Sequence, residues 1–370
     1  MNEKSRILIC PLNWGLGHAS RDVYLISCLL ERNYEVIIGG EGATLEFLKN
    51  EFPHLTYICL PSFQIRYSHN YPAWMMITLL LPHIIKCIVR EKKLLDKVIR
   101  DYNIDLVISD ARYGLWSSTI PSVIITHQIS FKLPFLFKPL RYPVHIINRA
   151  ALSRFSRCWI PDFPGSPNLS GDLSHKYRVP VHSQFIGLLS RFNKTGNESN
   201  NNSKTFEVAV ILSGPEPQRS IFEKIITDQL FLSDIKSIII CGKPGNKVPE
   251  NLTGNCTKIP YMTSDELRVI LKSSKYIICR SGYSTIMDLI SLKKTAMLIP
   301  TPGQTEQEYL ARYLEKQGLF LYSKQKDFKL EEAIKMLDEF SPKIQFNKRF
   351  DLFDTAMQEI PLLLKSYIRN

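Results

Sequence analysis

The sequence predicts an α/β protein built as two Rossmann-like halves. Three observations carry this. Short apolar runs, each ending in a glycine- or serine-containing loop that opens a helix, occur in both halves: Arg6 to Cys10 before Gly15 and Gly17, Glu207 to Leu212 before Ser213 and Gly214, and Tyr276 to Cys279 before Ser281 and Gly282. Asn193 to Lys204, with five Asn plus Ser, Gly and Thr, reads as a flexible linker between the halves. A length of 370 residues at 44% hydrophobic content suits two domains of ordinary size. The expected division is residues 1–192, a linker over 193–204, and residues 205–345. A terminal helix over 346–370 is expected as well.

The formal charge of +12 and a pI near 9.2 favour anionic partners: nucleotide diphosphates, lipid headgroups or nucleic acid. No nucleic-acid recognition motif accompanies the charge. The eight Cys show no CxxC pair or metal spacing, and several end apolar strands, as small buried hydrophobes do. Reduced cysteines, and an N-terminus that runs straight into a strand without a signal peptide, predict a cytoplasmic protein.

In the first half, the strand Arg6 to Cys10 leads into the loop Pro11 to Arg21, which holds Gly15, Gly17 and His18, and then into a helix to about Arg32. Strand Asp105 to Ser109 ends at Asp110, and strand Ser122 to Thr126 ends at His127 and Gln128. Side chains just past the strand ends of an open α/β sheet line its ligand crevice. His18 and Asp110 therefore read as a base and its orienting carboxylate, because an imidazole suits proton abstraction near neutral pH. Two other readings stay open: Asp110 as the base itself, and both residues as caps of local backbone. His127 lies at the same edge and reads equally as a structural histidine.

Residues 52–90 and 111–161 contain no acid. The first stretch includes Trp74 to Ile85, too short and proline-broken to span a bilayer. It reads as a buried helix or as an amphipathic element on a membrane. The second interleaves seven basic residues with Phe, Leu and Tyr, which suits an anionic membrane surface.

In the second half, Ser281 and Gly282 lie at a strand-to-helix turn, where unpaired backbone N–H groups and the helix dipole form an anion site. Gly282 lets a phosphate approach, Arg280 adds charge, and Asp288 is placed to accept from two ribose hydroxyls. Gly214 and Arg219 follow the strand Glu207 to Leu212 and face the same phosphates. A Pro/Gly loop from Pro300 then ends in the polar cluster Gln304 to Glu308.

This order resembles the nucleotide-sugar half of GT-B glycosyltransferases, closest to the family 28 group that includes the lipid II N-acetylglucosaminyltransferase. The resemblance implies that Ser281 and Gly282 hold the diphosphate, Asp288 the ribose and Ile259 with Tyr261 the uracil. Gln304, Gln307 and Glu308 would meet the donor sugar, although the family has a Gln-Gln pair where this chain has Gln307-Glu308. It implies that Gly15, Gly17 and His18 face the donor, and that His127 and Gln128 border the acceptor cleft. It also implies a GT-B fold, two Rossmann-like domains facing each other across a cleft, with the last helix crossing back to the first domain. The Gly-Leu-Gly-His-x-x-Arg string is similar to that of a UDP-sugar hydrolase of pseudaminic acid synthesis too. Leu169 to His175 resembles a string of Bacteroidetes-type members, with no chemistry assigned.

The expected function is inverting, metal-independent transfer of a sugar, with N-acetylhexosamine as a candidate, from a UDP-sugar to an acceptor hydroxyl. The acceptor is expected to be lipid-linked or at the membrane surface, with the enzyme peripheral on the cytoplasmic face. No DxD motif is evident, so neither metal nor cofactor is expected beyond the UDP-sugar. The alternatives are UDP-sugar hydrolysis on the same fold and non-catalytic nucleotide-sugar binding.

Overall fold

The computed structural model describes residues 4–62, 73–133, 135–193, 206–244, 250–253, 255–343 and 351–368. The first half runs β1 (Arg6–Pro11), α1 (Gly17–Glu31), β2 (Glu35–Gly40), α2 (Gly42–Glu51), β3 (Thr56–Cys59), α3 (Ala73–Tyr102), β4 (Leu106–Asp110), β5 (Ser122–Ile125), α4 (Arg141–Leu152), β6 (Arg157–Ile160), the single turn α5 (Asp172–His175) and β7 (Ser183–Phe185). The second runs β8 (Val208–Ile211), α6 (Gln218–Phe231), β9 (Ser237–Ile240), β10 (Glu250–Thr253), β11 (Cys256–Ile259), α7 (Ser264–Ser273), β12 (Tyr276–Cys279), α8 (Tyr283–Ser291), β13 (Met297–Leu298), α9 (Thr305–Lys316), β14 (Leu321–Tyr322) and α10 (Leu330–Glu339). The helix α11 (Asp351–Ile368) ends the described chain. Most of the linker expected over 193–204 lies outside the described residues.

Each half is one seven-stranded sheet. The first, in the order β3-β2-β1-β4-β5-β6-β7, is parallel throughout. The second, β10-β11-β9-β8-β12-β13-β14, is parallel except for β10, which runs antiparallel to β11. The central strands β1, β4, β8 and β12 are buried almost end to end, as apolar runs sandwiched by helices must be. The order of the first sheet reverses between β1 and β4, and that of the second between β8 and β12. In open α/β sheets a crevice forms at such a reversal, outside the carboxyl ends of the strands.

One apolar cluster crosses between the halves, joining Ala19, Val23 and Ile26 of α1 to Ile286, Met287 and Ile290 of α8 and to Phe353, Ala356 and Met357 of α11. α11 also returns to the first half through polar contacts. Arg32 pairs with Asp354 at 2.9 Å, Arg157 with Glu359 at 3.1 Å, and the Ser156 and Tyr367 hydroxyls lie 3.1 Å apart.

The acid-free stretches divide. Arg112 is fully buried and ion-paired with Glu91 at 2.9 Å, and Phe155 is core. Leu140, Tyr142, Ile146 and Ile147 stand exposed on and just before α4, as do Ile85 and Val89 on α3. Of Trp74 to Ile85, the side chains through Leu81 lie outside the described residues. Among the described residues no helix is long and apolar enough to cross a membrane.

Candidate active site

The two switch points meet face to face. The loop after β1 ends at Gly17, where α1 starts, and α8 starts two residues beyond Ser281. The Ser284 hydroxyl of α8 donates to the Gly17 carbonyl at 2.6 Å. A Cβ at Gly17 would lie 3.2 Å from the Ser284 oxygen, so glycine permits this close approach. Gly282 precedes α8 with no side-chain cap, and a Cβ there would meet nothing nearer than Thr285 at 3.9 Å. Space is therefore open in front of the uncapped N–H groups of α8.

His18 and Arg21 are three residues apart on α1 and share a face. Both reach Asp110 at the end of β4. The His18 Nδ1 lies 2.9 Å from Asp110 Oδ1, and Arg21 Nε donates to Oδ2 at 2.7 Å while Nη2 donates to Oδ1. Arg21 Nη2 also lies 3.2 Å from His18 Nδ1. The nearer, oppositely charged carboxylate decides the tautomer: Nδ1–H donates to Asp110 and leaves Nε2 as the basic nitrogen. Burial pushes the Asp110 carboxyl up, but the charges of Arg21 and His18 override it and hold it at about 2.

Arg21 Nη1 lies 3.4 Å from Nδ1 of His127, whose ring stacks at 4.0 Å on Tyr283 of α8. His127 Nε2 reaches Glu306 of α9 at 2.7 Å, and Gln128 Nε2 donates to the other oxygen of the same carboxylate. Residues His18, Asp110, His127 and Gln128 are thus brought together, with three residues that sequence reasoning left off the candidate site: Arg21, Tyr283 and Glu306. The i, i+3 spacing from His18 is a signal for Arg21. For Tyr283 and Glu306 there is no such signal, because both act across the cleft.

Several donor-side residues have partners within the protein. Arg280 is fully buried, donates to the carbonyls of Ile299, Pro300 and Gln218, and lies 4.4 Å from the Phe222 ring. Burial pulls it down to about 9. It ties together the chain after β12, the chain after β13 and the start of α6. Arg219 is already paired with Glu216 and with Glu223, the latter at 3.3 Å. Tyr261 turns to the first half, its hydroxyl 3.3 Å from Glu51 and its ring edge-on to Phe47. The Ile259 carbonyl accepts from Cys241 N in the sheet. The Gln307 and Glu308 side chains accept from the Thr301 and Gly303 amides and brace their own turn, and Gln304 stands at the N-cap position of α9 without a side-chain capping bond.

Ser281 is buried and donates to the Gln307 carbonyl at 2.9 Å. Gly214 has a φ of +97°, which glycine alone adopts freely, and a Cβ there would sit 3.4 Å from Thr301. Gly15, at φ +78°, has open space around it. Asp288 is buried, with Ser190 Oγ donating to one oxygen at 2.7 Å and Arg191 Nε to the other at 2.9 Å.

Asp22, next to Arg21, is fully buried, and neither of its oxygens accepts a hydrogen bond. Burial, then the neighbouring Asp110 charge, raises its pKa well above the ordinary carboxyl range, against the pull of Arg21. A carboxyl raised on folding stabilises fully only below its unfolded value of about 3.9, and that contribution is lost as pH rises toward the folded value. Asp22→Asn removes this penalty. Urea denaturation is expected to show the variant more stable than wild type at pH 8, by about 1–3 kcal/mol, with the gap closing toward pH 4.

Residues 208–359 match the glycosyltransferase family 28 C-terminal domain. A curated relative from Sulfurihydrogenibium sp., named UDP-N-acetylglucosamine--N-acetylmuramyl-(pentapeptide) pyrophosphoryl-undecaprenol N-acetylglucosamine transferase, is 26% identical over 244 residues, 61% of this chain and 67% of the relative. An uncharacterized glycosyltransferase of Methanosarcina acetivorans is 25% identical over 332 residues, 85% of this chain and 84% of the relative. The crystal structure of MurG from Acinetobacter baumannii superposes with a TM-score of 0.56 at 12% identity, covering 97% of this chain and 100% of that one. The chain is a glycosyltransferase of GT-B fold whose second half matches the family 28 C-terminal domain.

Proposed function

We propose that this glycosyltransferase transfers a sugar, with inversion and without a metal, from a UDP-sugar to the hydroxyl of a lipid-linked acceptor. One observation carries the reading: the His18–Asp110 pair lies beside the uncapped start of α8, with Gly17 and Ser284 in direct contact. A base and an anion site on opposite sides of one cleft are what such a displacement needs. His18 Nε2 takes the acceptor proton as the new C–O bond forms, and the bond from the sugar to the diphosphate breaks on the opposite face. Asp110 stabilises the imidazolium. The α8 amides at Gly282 and beyond receive the charge developing on UDP.

The identity of the donor is supported by the named activity of the Sulfurihydrogenibium relative. Asp288 serves the ribose: its carboxylate offers about four lone-pair sites, of which Ser190 and Arg191 occupy two.

His18→Ala is expected to lower kcat by about 10²–10⁴ and leave UDP affinity nearly intact. Asp110→Asn costs less if Asp110 orients His18, and at least as much if it is the base. Assays with UDP-sugars, with and without acceptor lipid and with EDTA, report the turnover. Wild-type-like turnover of His18→Ala removes the assignment, and rapid UDP release without acceptor marks a hydrolase.

Asp288→Ala is expected to weaken UDP binding by about 1–3 kcal/mol in calorimetry. An unchanged dissociation constant removes Asp288 from the ribose role.

The exposed apolar residues of α3 and α4 alternate with exposed Lys86, Arg90 and Lys138, which supports a peripheral site on an anionic cytoplasmic membrane face. Co-sedimentation with anionic vesicles is expected at low salt, with release at high salt. Equal binding to neutral vesicles, or none to either, excludes it.

A further inference from the structure

Three consecutive polar side chains open α9, and they behave differently. Gln307 and Glu308 turn back on the loop that precedes them. Glu306 extends across the cleft and is held by two donors of the other half, His127 Nε2 and Gln128 Nε2. The loop carrying it is fixed to that half nearby: Thr305 Oγ1 donates to the Lys132 carbonyl at 2.6 Å, and the Asp172 amide donates to the Tyr309 hydroxyl at 2.7 Å.

What Glu306 touches is not a free surface. The His127 ring is stacked on Tyr283, and the His127 carbonyl is held by Ser174 Oγ at 2.6 Å. With its ring pinned, the remaining freedom of His127 is which nitrogen carries the proton. Burial lowers the pKa of the imidazole from its ordinary value. The Glu306 carboxylate can only accept, so it demands a proton on Nε2. That leaves Nδ1 as an acceptor, which suits Arg21 Nη1 at 3.4 Å. In the other tautomer an N–H would face the guanidinium N–H. Arg21 is the group that grips Asp110, and Asp110 is the group that orients His18.

We propose that Glu306 is a positioning residue that, by seating on His127 and Gln128, carries the contact between the two halves to the His18–Asp110 pair. The proposal rests on the reading of His18 as the base. The coupling is a choice of tautomer passed through Arg21. The charged and titratable groups facing the pair are Asp110 from β4, Arg21 and Asp22 from α1, His127 beyond β5, Tyr283 from α8 and Glu306 from α9. Of these, Glu306 and Tyr283 belong to the second half.

The test needs no substrate. In the full chain labelled with 15N-histidine, the ring signals of His18 and His127 are assigned among the eight histidines by His18→Gln and His127→Gln. Wild type is expected to show His127 protonated on Nε2 and His18 on Nδ1. Glu306→Ala and Glu306→Gln, each keeping a cooperative melting transition, are expected to move both His127 and His18. An unmoved His18 in both variants overturns the proposal, because a merely local contact ends at His127.

Turnover separates this from failure of the base assignment. With UDP-N-acetylglucosamine as the probe, Glu306→Ala is expected to lower kcat by about tenfold to a hundredfold with KM little changed. Added to His18→Ala, it is expected to cost nothing further. Losses that multiply overturn the proposal while leaving the base in place. Full turnover of His18→Ala alone removes the base, while the ring signals still report whether Glu306 reaches His18.

Discussion

The site depends on the buried ion pair between Arg21 and Asp110. Both side chains are withdrawn from water at the point where the first sheet reverses its strand order. Taking two charges out of water costs several kcal/mol for each, and this is offset only when geometry and additional hydrogen bonds are good. Here the guanidinium meets both carboxylate oxygens, and His18 adds a third donor. The pair holds the start of α1 against the end of β4. It also fixes which nitrogen of His18 is free, and it turns the remaining face of the guanidinium toward His127. Asp22 shares the same interior with no donor of its own, and burial beside the Asp110 charge raises its pKa well above the ordinary carboxyl range.

What could be read in the sequence follows the range of the forces involved. β1, β4, β8 and β12 are legible because a strand covered on both faces must be apolar without interruption. The two-residue strands β13 and β14, and β3 at a sheet edge with Thr56 and Cys59 exposed, carry little such pattern. His18 and Asp110 are legible because strand ends in this class of sheet point at the crevice. Glu306 is not, because its partners lie 178 and 179 positions away and no spacing rule links them. Arg280 misleads for a related reason. A cation beside a Ser-Gly turn looks like a phosphate ligand, and only the packing of α6 and the chain after β13 shows that carbonyl groups claim it.

Composition has a similar limit. An acid-free basic and aromatic stretch is one feature in the sequence and two in space. Arg112 is spent on Glu91 inside the first sheet, while the residues around α4 face outward. Net charge over a window cannot separate a cation neutralised by a distant acid from one that faces solvent, because the neutralising acid lies outside the window.

The return of α11 has a mechanical meaning. The polypeptide passes from the first half to the second between Asn193 and Phe206, and comes back before α11 docks through Asp354 and Glu359. Two bodies joined by a single thread can tumble freely, whereas two bodies joined at two points retain mainly a rotation about the line between those points. Motion of that kind is a hinge. Together with the apolar cluster that α1, α8 and α11 share, the second joint holds the Gly17 and Ser284 edges against each other.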